Sequence, residues 1–133
     1  MQTLYLIRGL PGSGKTGLAG ELTLFVYSAD DFFVVDGIYK YEPQFIPDAH
    51  ELCRERASRT LRLGSSVSVA NTFTQRWELE PYYAIPGDHR VVEVTVTARH
   101  RNGEPLSDEN LAERNVHGVP VEKIRNMRSR WEL

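Results

Sequence analysis

The sequence predicts an α/β fold: a mostly parallel sheet with helices on both faces. Three observations lead there. Strand-like and helix-like segments alternate along the chain. Leu4-Tyr5-Leu6-Ile7 is apolar throughout, as a strand covered on both faces is. The glycine-rich stretch that follows, Gly9-Leu10-Pro11-Gly12-Ser13-Gly14-Lys15-Thr16, matches G-x-x-x-x-G-K-[ST] in full. Such a loop grips phosphate because its glycines let successive amides point inward, while a helix begins directly behind it. Gly12, Ser13 and Gly14 are therefore expected to cradle phosphate oxygens. Lys15 would reach the outer phosphates, and the Thr16 hydroxyl would sit on Mg²⁺. The expected ligand is a nucleoside triphosphate.

Each element has its own signal. Thr3 to Ile7 reads as the first strand, and a short helix runs from Lys15 to about Glu21. Leu24 to Ser28 is a second buried strand ending at Ala29-Asp30-Asp31. Phe32 to Pro47 mixes aromatics with Gly37, Pro43 and Pro47 and reads as a long ordered loop. Asp48 is the expected N-cap of the next helix, with Glu51 closing a capping box. Ala49, Leu52, Cys53, Ala57, Thr60 and Leu61 form its apolar stripe, and Gly64 ends it. Val67 to Ala70 is a third strand leading into Asn71-Thr72. A helix over Trp77 to Ala84 stops near Pro86-Gly87, and Arg90 to Thr97 is a β-branched strand. His100 to Pro105 is turn-rich, and Asp108 to Arg114 is a short helix. Pro120 at its first position starts the last helix, with Val121, Ile124, Met127 and Trp131 on one side.

Size and composition bound the rest. With 133 residues the chain forms one domain, 1–133; hydrophobic residues make up 41% and charged residues 26%, a globular balance. No apolar run is long enough to span a membrane and no secretory signal pattern opens the chain, so a cytoplasmic location is expected and a membrane partner is not. The net charge of −2 argues against a whole-protein electrostatic grip on nucleic acid but leaves room for a local basic cleft. Arg54, Arg56, Arg59 and Arg62, and again Arg125, Arg128 and Arg130, read as solvated helix faces. Cys53 is the single cysteine, which excludes an intramolecular disulfide and a cysteine-based zinc site. It falls on an apolar stripe as a small buried hydrophobe. His50, His89, His100 and His117 show no metal-ligand spacing.

In open parallel sheets, ligands bind beyond the carboxyl ends of the strands. The phosphate loop, Asp30-Asp31 and Asn71-Thr72 all lie at such ends and are expected to share one cleft. Phosphoryl transfer to a hydroxyl needs a group that takes the hydroxyl proton and aligns its oxygen. Asp30 could be that base, or the pair could cap a turn. On an extended backbone, neighbouring side chains diverge, so only one of the two should face the substrate, and Asp30 is chosen. Arg114 could close over the triphosphate as an arginine finger, or be an exposed helix residue. Arg128 lies on the apolar stripe, either paired with a carboxylate or aimed into the cleft. Phe32-Phe33 is either core or a stacking surface for an extruded base.

Taken in order, Arg8 to Thr16, Ser28-Ala29-Asp30-Asp31-Phe32-Phe33, Ala49-His50, Ala70-Asn71-Thr72-Phe73-Thr74, Glu80-Pro81-Tyr82 and Arg114-Asn115-Val116-His117-Gly118-Val119-Pro120 carry a resemblance. The chain resembles the small P-loop kinase family that includes the kinase domain of phage polynucleotide kinase and NEDD4-binding-protein-like kinases. The resemblance implies a P-loop fold with a short lid. It implies ATP- and Mg²⁺-dependent phosphorylation of a hydroxyl, often the 5′-hydroxyl of a nucleic acid. By position, Lys15 and Thr16 take the phosphate and metal roles, Asp30 the general base and Arg114 the lid arginine. Two positions depart from the family. Many relatives carry Asp where this chain has Ala70, so Mg²⁺ would rest on Thr16, phosphates and water, or on Asp31. Polynucleotide kinases carry an arginine where this chain has Phe33. The short chain, without a phosphatase or ligase domain, would suit a phage-encoded or accessory protein.

The expected function is thus a kinase acting on a hydroxyl of a nucleic acid or nucleoside. The alternatives are a nucleotide-binding regulatory module with weak or no catalysis, and a kinase toxin or other kinase acting on a small sugar-nucleotide.

Overall fold

The computed structural model describes residues 1–133. Its centre is a four-stranded sheet, all parallel, in the order β2-β5-β1-β6. The strands are β1 (Thr3–Arg8), β2 (Phe25–Tyr27), β5 (Val67–Asn71) and β6 (Arg90–Thr95). Between β2 and β5 in the chain, β3 (Val34–Val35) and β4 (Ile38–Tyr39) form a separate antiparallel hairpin. The helices are α1 (Lys15–Leu22), α2 (Ile46–Arg62), α3 (Arg76–Tyr83), α4 (Asp108–Arg114) and α5 (Val121–Ser129).

The period-2 alternation of the central strands decides which helix lies on which face. Leu4 and Leu6 of β1, with Val67 and Val69 of β5, point to one face and pack with Cys53, Ala57 and Leu61 of α2 and with Leu79 and Tyr82 of α3. Ile7 and Ala70 point to the other face and meet Ala19 of α1, flanked by Val26 and Val94. A third cluster, Leu106, Leu111 and Ile124, joins α4 to α5 and reaches Leu10 of the phosphate loop. The sheet is therefore covered on both faces, and α4–α5 forms a small lid over one end. Cys53 is buried, as expected. No helix is long and apolar enough to cross a membrane.

Several boundaries differ from the sequence reading. The second strand is not a buried one: β2 is an edge strand, half-exposed along its length, because β5 covers only one of its sides. Asp48 is not an N-cap. Helix α2 begins three residues earlier, at Ile46, with Phe45 in the cap position and Pro47 in the first turn, where a missing N–H costs nothing. The capping box lies instead at α3, between Gln75 and Glu78. Pro120 is the N-cap of α5 rather than its first residue. Trp131 lies past the end of that helix, its ring 4.8 Å from the Arg8 guanidinium. The segment read as a loop from Phe32 to Pro47 holds the β3–β4 hairpin. Asp36 (φ 53°) and Gly37 (φ 78°) turn it, the positive-φ pair a two-residue hairpin with a type I′ turn requires.

Candidate active site

The phosphate loop leaves β1 at its carboxyl end and enters α1 at Gly14, whose φ of 95° is the left-handed conformation that only glycine adopts freely. Gly12 is also left-handed, and it is crowded. A Cβ there would stand 2.5 Å from the Leu111 carbonyl oxygen, so the lid helix α4 rests directly on the loop. A Cβ on Gly14 would lie 4.0 Å from Arg114 Nη2, so the Arg114 guanidinium sits over the loop where α1 begins. Lys15 Nζ has one weak partner, the Leu10 carbonyl at 3.5 Å. Burial pushes the Lys15 ammonium below its ordinary pKa, and the Asp30 carboxylate pushes it back. The Ser13 hydroxyl is buried with no hydrogen-bond partner. It borders a cavity of about 300 Å³ lined by Leu10, Val96, Leu106, Leu111, Trp131 and Leu133, between the loop, the end of β6 and the lid.

Asp30 and Asp31 follow β2 in a 3-10 helix, Ala29–Phe33, rather than on extended backbone. They still diverge, for a different reason. Asp31 Oδ2 accepts the Ser28 amide N–H at 2.9 Å and closes a capping box, while the Ser28 hydroxyl accepts the Asp30 N–H at 3.2 Å. Asp31 Oδ2 is thereby held by the turn, while the Asp30 carboxylate points away from it toward Tyr39 and His117. The Asp30 Oδ1 atom accepts the Tyr39 hydroxyl at 3.1 Å, and Oδ2 lies 3.6 Å from His117 Nε2. Tyr39 and His117 stack, their ring centroids 4.2 Å apart. Burial, together with the Asp30 charge, holds the Tyr39 phenol above its usual pKa, so it stays a donor.

The third strand end reaches the same place. Asn71 Oδ1 accepts the Ala29 amide at 2.9 Å and the Ser28 hydroxyl at 3.3 Å, tying the tip of β5 to the turn that carries Asp30. Ala70, just before it, is packed against Ile7 and Ala19 beneath the loop and offers no ligand. No group of three His, Cys, Asp or Glu side chains could hold a metal ion by itself. Thr16 at the loop and Asp31 after β2 are both exposed, and the turn uses only the Oδ2 atom of Asp31.

Other sequence alternatives resolve here. Arg128 pairs with Asp108 at 2.8 Å and also lines the cavity beside Ser13, so both sequence alternatives hold. Phe33 is buried against Tyr39 and Tyr41, and Phe32 packs on Phe45, so the pair forms the hairpin's own core rather than a free stacking face. Arg56, Arg59 and Arg62 form an exposed face of α2 with no salt bridge.

Sequence reasoning put Asn71 at the cleft without a partner for it, and gave no part to Tyr39, His117 or Arg8 in organising the site. Arg8 is 2% exposed, and its Nε and Nη2 donate to the Phe73 carbonyl at 3.0 and 2.9 Å. That interaction holds Phe73 at φ 46° just past the tip of β5. The missed signal for Tyr39 was Asp36-Gly37 flanked by apolar pairs, a hairpin cue.

Comparison with solved structures now bears on the arrangement. A chain of the Pnkp1/Rnl/Hen1 RNA repair complex superposes with a TM-score of 0.71 at 16% identity, covering 97% of this chain and 43% of that one. A sugar kinase from Janibacter sp. HTCC2649 superposes with a TM-score of 0.68 at 17% identity, covering 100% of this chain and 79% of that one. The fold is that of the P-loop kinases. In sequence, the chain is 33% identical over 135 residues to human NEDD4-binding protein 2, covering 97% of this chain but only 8% of that protein's length. No protein-family model matches the chain. Arg114, the last residue of α4, places its Nη2 atom 4.0 Å from where a Cβ on Gly14 would stand.

Proposed function

We propose that this domain is an ATP- and Mg²⁺-dependent kinase that transfers the γ-phosphate to a hydroxyl of a nucleic acid or nucleoside. One observation carries the reading: the turn after β2 brings the Asp30 carboxylate near enough for its charge to act on the Lys15 ammonium, with the Arg114 guanidinium over the same loop. The inward amides of Gly12 to Thr16 and the N-terminus of α1 bind the phosphates. Thr16 is the residue to hold Mg²⁺, which neutralises phosphate charge when bound. The cavity beside Ser13 suits the nucleoside half of ATP, whose polar edge would give the Ser13 hydroxyl its missing partner.

The acceptor oxygen attacks the γ-phosphorus and gives its proton to Asp30. The new O–P bond forms as the bond from phosphorus to the β,γ-bridging oxygen breaks, and ADP leaves. Lys15 and Arg114 offset the charge that gathers on the transferring group. The nucleic-acid or nucleoside acceptor is supported by the resemblance to polynucleotide kinases; the P-loop kinase fold alone also hosts sugar kinases.

The test is label transfer from γ-labelled ATP to a pool of DNA, RNA and nucleosides. Asp30→Asn and Lys15→Ala should each lower transfer by about 100-fold or more. A second reading, a nucleotide-binding regulatory module with weak catalysis, is favoured by Ala70, which leaves the strand end without a carboxylate. Tight ATP binding with transfer to none of these acceptors would select it.

A further inference from the structure

Each oxygen of the half-exposed Asp30 carboxylate has a side chain of this chain beside it. Oδ1 accepts the Tyr39 hydroxyl at 3.1 Å, and Oδ2 stands 3.6 Å from His117 Nε2. A base that is to take the proton of an acceptor hydroxyl must first accept a hydrogen bond from that hydroxyl. Tyr39 makes that same bond. Its ring meanwhile lies against the His117 imidazole, with centroids 4.2 Å apart and an interplanar angle of 31°. A hydroxyl on the base and a flat ring on the imidazole are the two contacts a nucleoside could make.

The two partners are held differently. His117 lies between α4 and α5 on a segment pinned by Asn115. The Asn115 Oδ1 atom accepts the Val119 amide at 2.8 Å, and Nδ2 donates to the Ala112 carbonyl at 2.7 Å. Tyr39 belongs to the β3–β4 hairpin, which shares no ladder with the central sheet, and whose Val34, Val35 and Ile38 side chains are exposed. The hairpin can swing without breaking a sheet hydrogen bond, while the imidazole stays as a platform.

We propose that Tyr39 is an internal stand-in for the acceptor. Its phenol takes the place of the acceptor hydroxyl on Asp30 and its ring the place of a base on His117. The site therefore selects a hydroxyl carried beside a flat ring, namely a nucleoside or the 5′ end of a nucleic-acid strand. A free sugar has the hydroxyl but no π-face for His117. The inference rests on the kinase reading of Lys15 and Asp30 and narrows its acceptor.

Steady-state transfer from γ-labelled ATP tests it, with a 5′-hydroxyl oligonucleotide, adenosine and glucose as acceptors, and with circular dichroism to check that each variant is folded. His117→Ala should raise KM for the two ring-bearing acceptors about tenfold, with a smaller effect on kcat. Tyr39→Phe keeps the ring but loses the competing hydroxyl. It should lower acceptor KM about threefold and raise ATP hydrolysis in the absence of acceptor, because water gains access to Asp30. Unchanged acceptor KM in His117→Ala, a raised KM in Tyr39→Phe, or glucose used as efficiently as adenosine would each overturn the proposal. If the wild type transfers to no acceptor, the kinase reading fails separately. Calorimetric titration of adenosine and of the oligonucleotide into protein saturated with a non-hydrolysable ATP analogue then decides. Binding that is lost in His117→Ala upholds the proposal, and absent or equal binding overturns it.

Discussion

Asn71 Oδ1 accepts the Ala29 amide N–H at 2.9 Å, so the tip of β5 fixes the turn that carries Asp30. Asn71 is buried, and its amide nitrogen lies 3.9 Å from Cys53 Sγ, which orients the side chain from the other side. Asn71→Ala leaves the Ala29 amide unpaired and should destabilise the fold by about 2 kcal/mol in urea denaturation. It should also lower kcat more than it weakens ATP binding, because it moves Asp30 and not the loop. Asn71→Asp keeps an acceptor oxygen in place and should recover part of the stability. A variant with lost ATP affinity and normal kcat would refute this account.

Gly12 tests the lid from the other side. A methyl there must coexist with the Leu111 carbonyl at 2.5 Å and with a φ of 81°. Gly12→Ala should therefore push α4 off the loop and weaken ATP binding about tenfold or more, measured by calorimetry. Gly17→Ala, where a Cβ meets nothing within 4 Å inside helix α1, should bind ATP as the wild type does and be slightly more stable. Equal affinities for the two variants would sink the idea that the lid rests on Gly12.

How much of this was legible in the sequence follows from where each signal resides. The glycine-rich motif and its flanking elements are local patterns: a strand ends at Arg8 just before it and a helix begins at Lys15 within it. The alternation that puts Leu4 and Leu6 opposite Ile7 is local too. The edge position of β2 was not legible, because strand order depends on pairings between residues far apart in the chain, such as Val26 with Ser68. Asp48 has good N-cap chemistry, yet packing of the preceding 3-10 turn at Pro43–Phe45 starts the helix earlier. The stacking of Tyr39 on His117 joins residues 78 positions apart and leaves no trace in either neighbourhood. Arg8 falls just past the strand read from Thr3 to Ile7, and only the fold shows it ending β1 and holding the Phe73 and Glu132 carbonyls.

Acid should expose a second structural network. Glu93 is held bidentately by Arg76 at 2.6 and 2.7 Å and accepts the Tyr83 hydroxyl, which lowers its pKa from 4.5 to about 2. Its folded pKa lies below the unfolded value, so its contribution is present above about pH 4.5 and is lost as pH falls toward 2. Arg76 is 42% exposed and screened, so the contribution is about 1–2 kcal/mol rather than the full shift. Arg8, 3.9 Å away and nearly buried, also loses its counter-charge. Urea denaturation of wild type and Glu93→Gln should show the wild type more stable at pH 7, with the gap closing between pH 4.5 and 2.5. A gap that is constant across that range would show that the pair does not act through its charge.

Arg114 separates catalysis from stability. Its side chain is exposed, its guanidinium lies near Gly14, and it forms no salt bridge within the chain. Removing it costs the folded domain little, within about 0.5 kcal/mol. A lid arginine that stabilises the transferring group should matter far more to rate, so Arg114→Ala should lower kcat by about 100-fold or more with a smaller change in ATP affinity. Arg114→Lys keeps the charge without the planar fork and should recover only a fraction. Arg125→Ala is the matched comparison. It breaks the pairs with Glu109 of α4 and Glu122 of α5, away from the cavity, so it should lower stability modestly and leave kcat near the wild-type value. If Arg114→Ala and Arg125→Ala lowered kcat equally, the loss would come from a loosened lid, and Arg114 would have no direct part in transfer.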